Sequence, residues 1–309
     1  MTRHFLRDDD LTPAEQRIIL ERALTLRTDH FASQALAGPR AVAVMFDKPS
    51  TRTRISFATG IAHMGGYPLV IDSTTSQLGR GESIADTARV LTRQVAAVVW
   101  RTFEQQRLEE MAQHCDVPVV NALTDTFHPC QVLADLAAIA DARGSVDALK
   151  GLTLAYVGDG ANNMAHSYLL GGATAGLHVR IGTPHDFTPD QKVVEQATAI
   201  AAQTGGSVQV VHNHEEAVEG ANVLATDTWV SMGDDADMTQ REKIFAPWQL
   251  NSHSVEMAAN DVQVLHCLPA YRGQEITADV IDGPHSLVWD EAEYRLHAQK
   301  ALLEWLVRS

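Results

Sequence analysis

Positive charge is in short supply in this chain. Against 39 Asp and Glu it carries 24 Lys and Arg, and a net charge of -15 would repel a phosphate backbone. No basic block offsets this locally, so nucleic acid is not an expected partner. Cysteine is also scarce. Cys115, Cys130 and Cys267 are too few and too irregularly spaced for a disulfide framework or a four-ligand zinc site, so a cysteine that matters would act as a thiol. No apolar run approaches the ~20 residues of a membrane span, and the opening MTRHFLRDDD turns acidic at once, unlike a secretory leader. A cytoplasmic location away from membranes is therefore expected. The G-x-x-x-x-G-K-[ST] loop of ordinary ATPases and kinases is missing too.

What remains is ordinary globular material: 309 residues, 45% hydrophobic and 20% charged, enough for two cores of roughly 150 residues each. Thr12 and Glu15 flank Pro13 as a capping box with proline at the first helical position, which predicts a helix over 13–27. Short runs rich in Val, Ile and Ala then recur: AVAVMF, YPLVI, AAVVW and VPVVN, followed by LTLAYV, LHVRI, SVQVV, NVLAT and VQVLH. Their length and β-branched content suit buried parallel strands, and helical patterns lie between most of them. The fold class is α/β, in two domains that each hold a parallel sheet flanked by helices. A seam is expected within 141–151, where small and polar residues separate a helical pattern from a fresh strand. Residues 290–309 carry Leu296, Leu303 and Leu306 at roughly helical spacing and should close the chain as an amphipathic helix.

Ligands of open parallel sheets bind beyond the carboxyl ends of the strands, so the residues following each run are the informative ones. After AVAVMF comes DKPSTRTR; hydroxyls, guanidinium groups and free backbone N–H groups at a helix start suit a phosphate. From the run alone, a plain helix cap with solvated Arg52 and Arg54 is equally open. Arg101 follows AAVVW. His128 and Gln131, three apart at the start of another helix, share a face and could reach one carbonyl; a histidine bonded to backbone is the plainer alternative. GDGANN after LTLAYV lacks the third glycine of a dinucleotide fingerprint, and Gly182 and Thr183 stand where an acidic residue would follow the next strand. Cys267, after VQVLH, is either an activated nucleophile or inert packing.

Taken together, STRT (50–53), HPCQ (128–131), DTWVSMG (227–233) and HCLPAYRG (266–273) resemble the ornithine carbamoyltransferases, over essentially the whole chain. STRT and HPxQ are shared by aspartate and ornithine carbamoyltransferases, whereas SMG with HCLP is more specific for ornithine. The family pattern varies at Pro49, just before STRT. The resemblance implies a carbamoyl phosphate-binding domain over 1–145, completed by a helix of 290–309 crossing back to it, and an ornithine-binding domain over 146–289. It further implies a homotrimer with active sites near subunit interfaces, and no cofactor or metal. By motif, Ser50, Thr51, Arg52 and Thr53 hold the phosphate, and Arg101, His128 and Gln131 address the carbamoyl group. Gln77 belongs to a loop offered to a neighbouring subunit. Asn163, Asp227, Ser231 and Met232 meet ornithine, and Cys267, Leu268 and Arg295 complete the pocket. Arg101, His128, Asp227 and Cys267 are the catalytic candidates. A carbamoyltransferase for another amine, such as putrescine or N-acetylornithine, is the nearest alternative.

Overall fold

The computed structural model of the chain describes residues 2–72, 76–230 and 238–308. Residues 1–137 with 293–309 form one compact unit and residues 138–292 another. The compositional seam at 141–151 begins near the end of a helix, Pro129–Ala142, in which the two units divide.

The first unit holds β1 (Ala41–Phe46), β2 (Tyr67–Asp72), β3 (Ala97–Arg101) and β4 (Val119–Leu123), all parallel, in the order β2-β1-β3-β4. Its helices are α1 (Pro13–Thr28), α2 (Thr51–His63), α3 (Ile84–Leu91), α4 (Gln105–His114) and the start of α5 (Pro129–Ala142). β1, β3 and β4 are buried almost throughout, which is why their sequences run apolar without alternating. Met45, Leu91, Trp100, Leu108 and Met111 make part of the core. The expected capping box opens α1: the Thr12 hydroxyl accepts from Glu15 N at 3.3 Å, and the Glu15 carboxylate accepts from Thr12 N at 2.9 Å.

The second unit holds β5 (Thr153–Val157), β6 (His178–Gly182), β7 (Ser207–Val211), β8 (Val223–Thr226) and β9 (Gln263–His266), again all parallel, in the order β7-β6-β5-β8-β9. Between and after them lie α6 (Asn163–Ser167), α7 (Gln191–Thr204), α8 (His214–Val218), α9 (Met238–Phe245), α10 (Ser252–Met257) and α11 (Ala278–Ile281). Val157, Leu224, Trp229, Phe245, Trp248, Val264 and Ile281 belong to its core.

Both sheets reverse strand order, between β1 and β3 in the first and between β5 and β8 in the second. The carboxyl ends at such a switch diverge and leave a crevice for ligands.

The closing helix, α12 (Val288–Arg308), starts two residues before the expected 290. From Glu293 onward it belongs to the first unit. Arg22 of α1 bonds Glu304 at 2.8 Å, and α2 approaches so closely that a Cβ on Gly60 would stand 3.0 Å from Lys300 Cγ and 3.3 Å from Leu296 Cδ1. Glycine there lets the two helices touch. Among the described residues no helix is long and apolar enough to cross a membrane.

Candidate active site

In the first unit the crevice is furnished by three strand ends. β1 leads into α2, with Ser50 at the N-cap in an extended conformation and its hydroxyl making no capping bond. The plain-cap reading of this run therefore does not hold for Ser50. Nor is Arg54 unengaged: still partly exposed, it pairs with Asp72 and lies over the Phe46 ring at 4.6 Å. Arg52, by contrast, makes no ion pair or side-chain hydrogen bond among the described residues, so its fork is available to an anion beside the positive end of α2. Thr53 is buried, and its Oγ1 accepts from Arg295 Nη2 at 2.9 Å, which leaves its own hydrogen to donate. Thr51 is exposed at the mouth of the run. Asp47 braces the two central strands: its N–H donates to Arg101 O at 2.9 Å, and its carboxylate accepts from Thr102 Oγ1 at 2.6 Å and Arg107 Nη2 at 3.3 Å.

Arg101 ends β3, where the ladder slips register against β4. His128 precedes α5 and is buried. Burial, and then the guanidinium groups of Arg295, Arg101 and Arg52, hold its imidazole well below the ordinary histidine value. A neutral imidazole thus lies among three cations. Gln131, in the first turn of α5, accepts from Arg295 Nη1 at 2.5 Å and donates to Asp135 Oδ1 at 2.8 Å. The chain Asp135–Gln131–Arg295–Thr53 is continuous, so Gln131 fixes Arg295 besides standing beside His128. Cys130, between them in sequence, is buried with its Sγ 3.3 Å from Asn121 O, and burial pushes its thiol up to about 12. It is packing.

In the second unit Gly158 to Asn162 follow β5. A Cβ on Gly160 would stand 2.7 Å from Phe187 O, so close packing accounts for this glycine without a dinucleotide. Asn162 caps α6 by accepting from Ala165 N and donates to the Tyr156 hydroxyl at 2.7 Å. Asn163 is the first residue of α6 and is half-buried. Asp227 follows β8; its Oδ1 accepts from Thr228 N at 2.7 Å and from the Cys267 thiol at 3.1 Å. Burial, then the charges of Asp227 and Asp159, push the Tyr156 phenol well above its usual range. Asp159 is paired with Arg241, so it is the Asp227 carboxylate that suits an ammonium group.

The loop after β9 is held by two buried residues. The Leu268 N–H donates to His266 Nδ1 at 2.9 Å, so the ring hydrogen sits on Nε2 and is given to Glu275 Oε1 at 3.0 Å. The same Glu275 oxygen accepts from Tyr271 N at 2.6 Å. Leu268 has φ 57, a left-handed conformation costing a leucine about 1–2 kcal/mol, and these bonds hold it there beside Cys267. Glu275→Ala is expected to lower the thermal unfolding midpoint clearly, because each buried donor it orphans costs about 1–3 kcal/mol. A midpoint equal to the parent protein would show that the brace lies elsewhere.

Sequence reasoning missed the roles of Asp47 and Glu275: Asp47 opens the informative DKPSTRTR run, but the hydroxyls and guanidinium groups carry the signal there, and Glu275, within a turn, carries no local signal. Gln77 is exposed, and its carbonyl accepts from Arg80 and Glu82 N–H groups. Ser231 and Met232 lie outside the described residues.

Residues 3–141 match the carbamoyl-P binding domain of aspartate/ornithine carbamoyltransferases, and residues 150–306 match the Asp/Orn binding domain. The ornithine carbamoyltransferase of Bifidobacterium longum subsp. infantis is 60% identical over 304 residues, 98% of this chain and 95% of that one. That of Clavibacter sepedonicus is 59% identical over 308 residues, 100% of this chain and 99% of its own. Among solved structures, ornithine carbamoyltransferase from Pyrococcus furiosus superimposes with a TM-score of 0.92 at 45% identity, covering 98% of this chain and 96% of the other. With both halves matched and identity this high over full length, the chain belongs to the aspartate/ornithine carbamoyltransferase family, among its ornithine carbamoyltransferases.

Proposed function

We propose that this chain moves the carbamoyl group of carbamoyl phosphate onto the δ-amine of L-ornithine, giving L-citrulline and phosphate. The observation that carries the reading is the gathering of Arg52, Arg101 and Arg295 around a neutral, buried His128 at the start of α5. Three cations suit a phosphate, and a neutral imidazole N–H suits the carbonyl beside it.

Each residue then has a task. Ser50, Thr51, Arg52 and Thr53 take the phosphate oxygens at the N-terminus of α2, and Arg295 adds charge from α12. Arg101, His128 and the Thr53 hydroxyl donate to the carbamoyl oxygen, and Gln131 positions Arg295 and contributes to the carbamoyl contact. Asn163, Asp227, Ser231 and Met232 receive ornithine, with Asp227 nearest the reacting amine; Cys267 and Leu268 shape the floor. The amine, with an unperturbed pKa of about 10.4, must lose a proton before attack. The C–N bond then forms, negative charge grows on the carbamoyl oxygen, and collapse of the tetrahedral species breaks the carbon–oxygen bond to phosphate. Residues 1–145 with α12 would serve the first substrate and 146–289 the second; the two substrates bring all the chemistry required, without cofactor or metal. The same reading makes the enzyme a cytoplasmic homotrimer in arginine biosynthesis, with the outward-facing Gln77 segment offered to a neighbouring subunit's site.

The test is product formation. Purified protein given carbamoyl phosphate is expected to release phosphate and form a ureido product with ornithine, and to do so far more slowly with putrescine, N-acetylornithine or aspartate. Preference for another amine would overturn the ornithine assignment while keeping the carbamoyl phosphate half. Silence with all four would overturn both.

A further inference from the structure

The first unit carries a second cluster of chemistry-bearing side chains that the reaction does not use. His30, in the segment after α1, stands beside Glu293 and His297, one helical turn apart on α12; one ligand atom from each lies within 4.8 Å of the others. The His30 and His297 rings are 4.9 Å apart, centre to centre. His297 is wholly buried, yet among the described residues its ring makes no well-aligned hydrogen bond; its nearest partner is Glu293 Oε1, 3.5 Å from Nε2. A buried imidazole held by one long contact is under-satisfied, and such a group calls for an explanation.

We infer that His30, Glu293 and His297 form a binding site for a divalent transition-metal ion of the zinc type. Two imidazoles and a carboxylate are the donor set such ions take, with open positions left for water. Zinc ligands stand roughly 3.4 Å apart at metal–ligand distances of about 2.0–2.1 Å, so the set must contract by rotamer adjustment. His30 and Glu293 are exposed and can move; His297 is the fixed point. Lys300 Nζ donates to the His30 carbonyl at 2.8 Å and holds that segment in place, while Arg27 takes the other Glu293 oxygen at 3.1 Å, leaving Oε1 for the ion. The ammonium of Lys300 opposes a bound cation, and the net charge of the chain favours one. The trio of Asp227, His266 and Cys267 also brings ligand atoms within 4.8 Å, but both ring nitrogens of His266 are already engaged. A bound ion would tie the segment after α1 to the helix that carries Arg295.

Tag-free Cys267→Ser protein, in which no thiol near Asp227 can compete, is titrated with cobalt(II) and followed by visible absorption, then with zinc chloride by calorimetry and thermal unfolding. One ion per chain is expected, with a raised unfolding midpoint. His30→Ala and Glu293→Gln, each added to that protein, are surface changes that should leave folding intact. Each should weaken binding at least about tenfold, the cost that even indirect partners of a metal carry. No binding, or equal affinity and stoichiometry in both variants, would overturn the site.

Discussion

His128→Ala is expected to lower kcat by about 100-fold or more, with the KM for ornithine nearly unchanged. The imidazole donates to the oxygen on which charge develops, an interaction stronger in the transition state than in the bound substrate, so its loss appears in kcat. His128→Gln keeps a donor and should recover part of the rate. Because burial and three guanidinium groups depress its pKa, His128 does not titrate with the activity near pH 6.5. The sign for stability follows from the same shift. A folded-state pKa below the unfolded value of about 6.5 gives a contribution present above that pH and lost as the pH falls through the folded value. The glutamine variant should therefore lose less stability than the parent on acidification below pH 6.5, measured by thermal unfolding. An unchanged kcat in His128→Ala would remove the residue from the reaction.

The strand runs are readable from their Val, Ile and Ala content, most sharply where both faces are buried: AVAVMF, for example, is β1 residue for residue, whereas β2 and β7 alternate between exposed and half-buried positions. The helix starts were readable where a local rule sets them, as with Thr12, Pro13 and Glu15, or Pro129 opening α5. Legibility ended where an interaction spans distance along the chain. Arg52 and Arg54 look alike in STRTR, and only the position of Asp72, 18 residues on, shows that Arg54 is spent on an ion pair. Arg295 enters beside Thr53 across 242 residues, and only resemblance marked it beforehand. Glu275 had no mark at all, since a buried acid is recognised by its partners and not by its neighbours in sequence. The brace it forms with His266 is a tertiary fact, whereas the Cys267 it supports was visible from its place after a strand.

The thiol–carboxylate pair in the second unit allows the two candidates for the amine to be separated. Cys267 donates to Asp227 Oδ1 at 3.1 Å, so in this state the thiol is a donor and the carboxylate the acceptor. An incoming ammonium would compete for that oxygen, and a carboxylate receives a cationic donor far more strongly than a thiol does. Asp227→Asn should therefore cost about 2–5 kcal/mol in kcat/KM for ornithine, with carbamoyl phosphate binding little affected. The asparagine keeps the volume but loses the charge that orients the amine. Cys267→Ser retains a donor to Asp227 and should cost much less, within about tenfold, because a neutral hydrogen bond contributes only about 0.5–1.5 kcal/mol. Steady-state kinetics of both variants across pH decide the matter. If the serine variant lost as much as the asparagine variant, with its alkaline limb displaced, the thiolate and not the carboxylate would be receiving the ornithine proton.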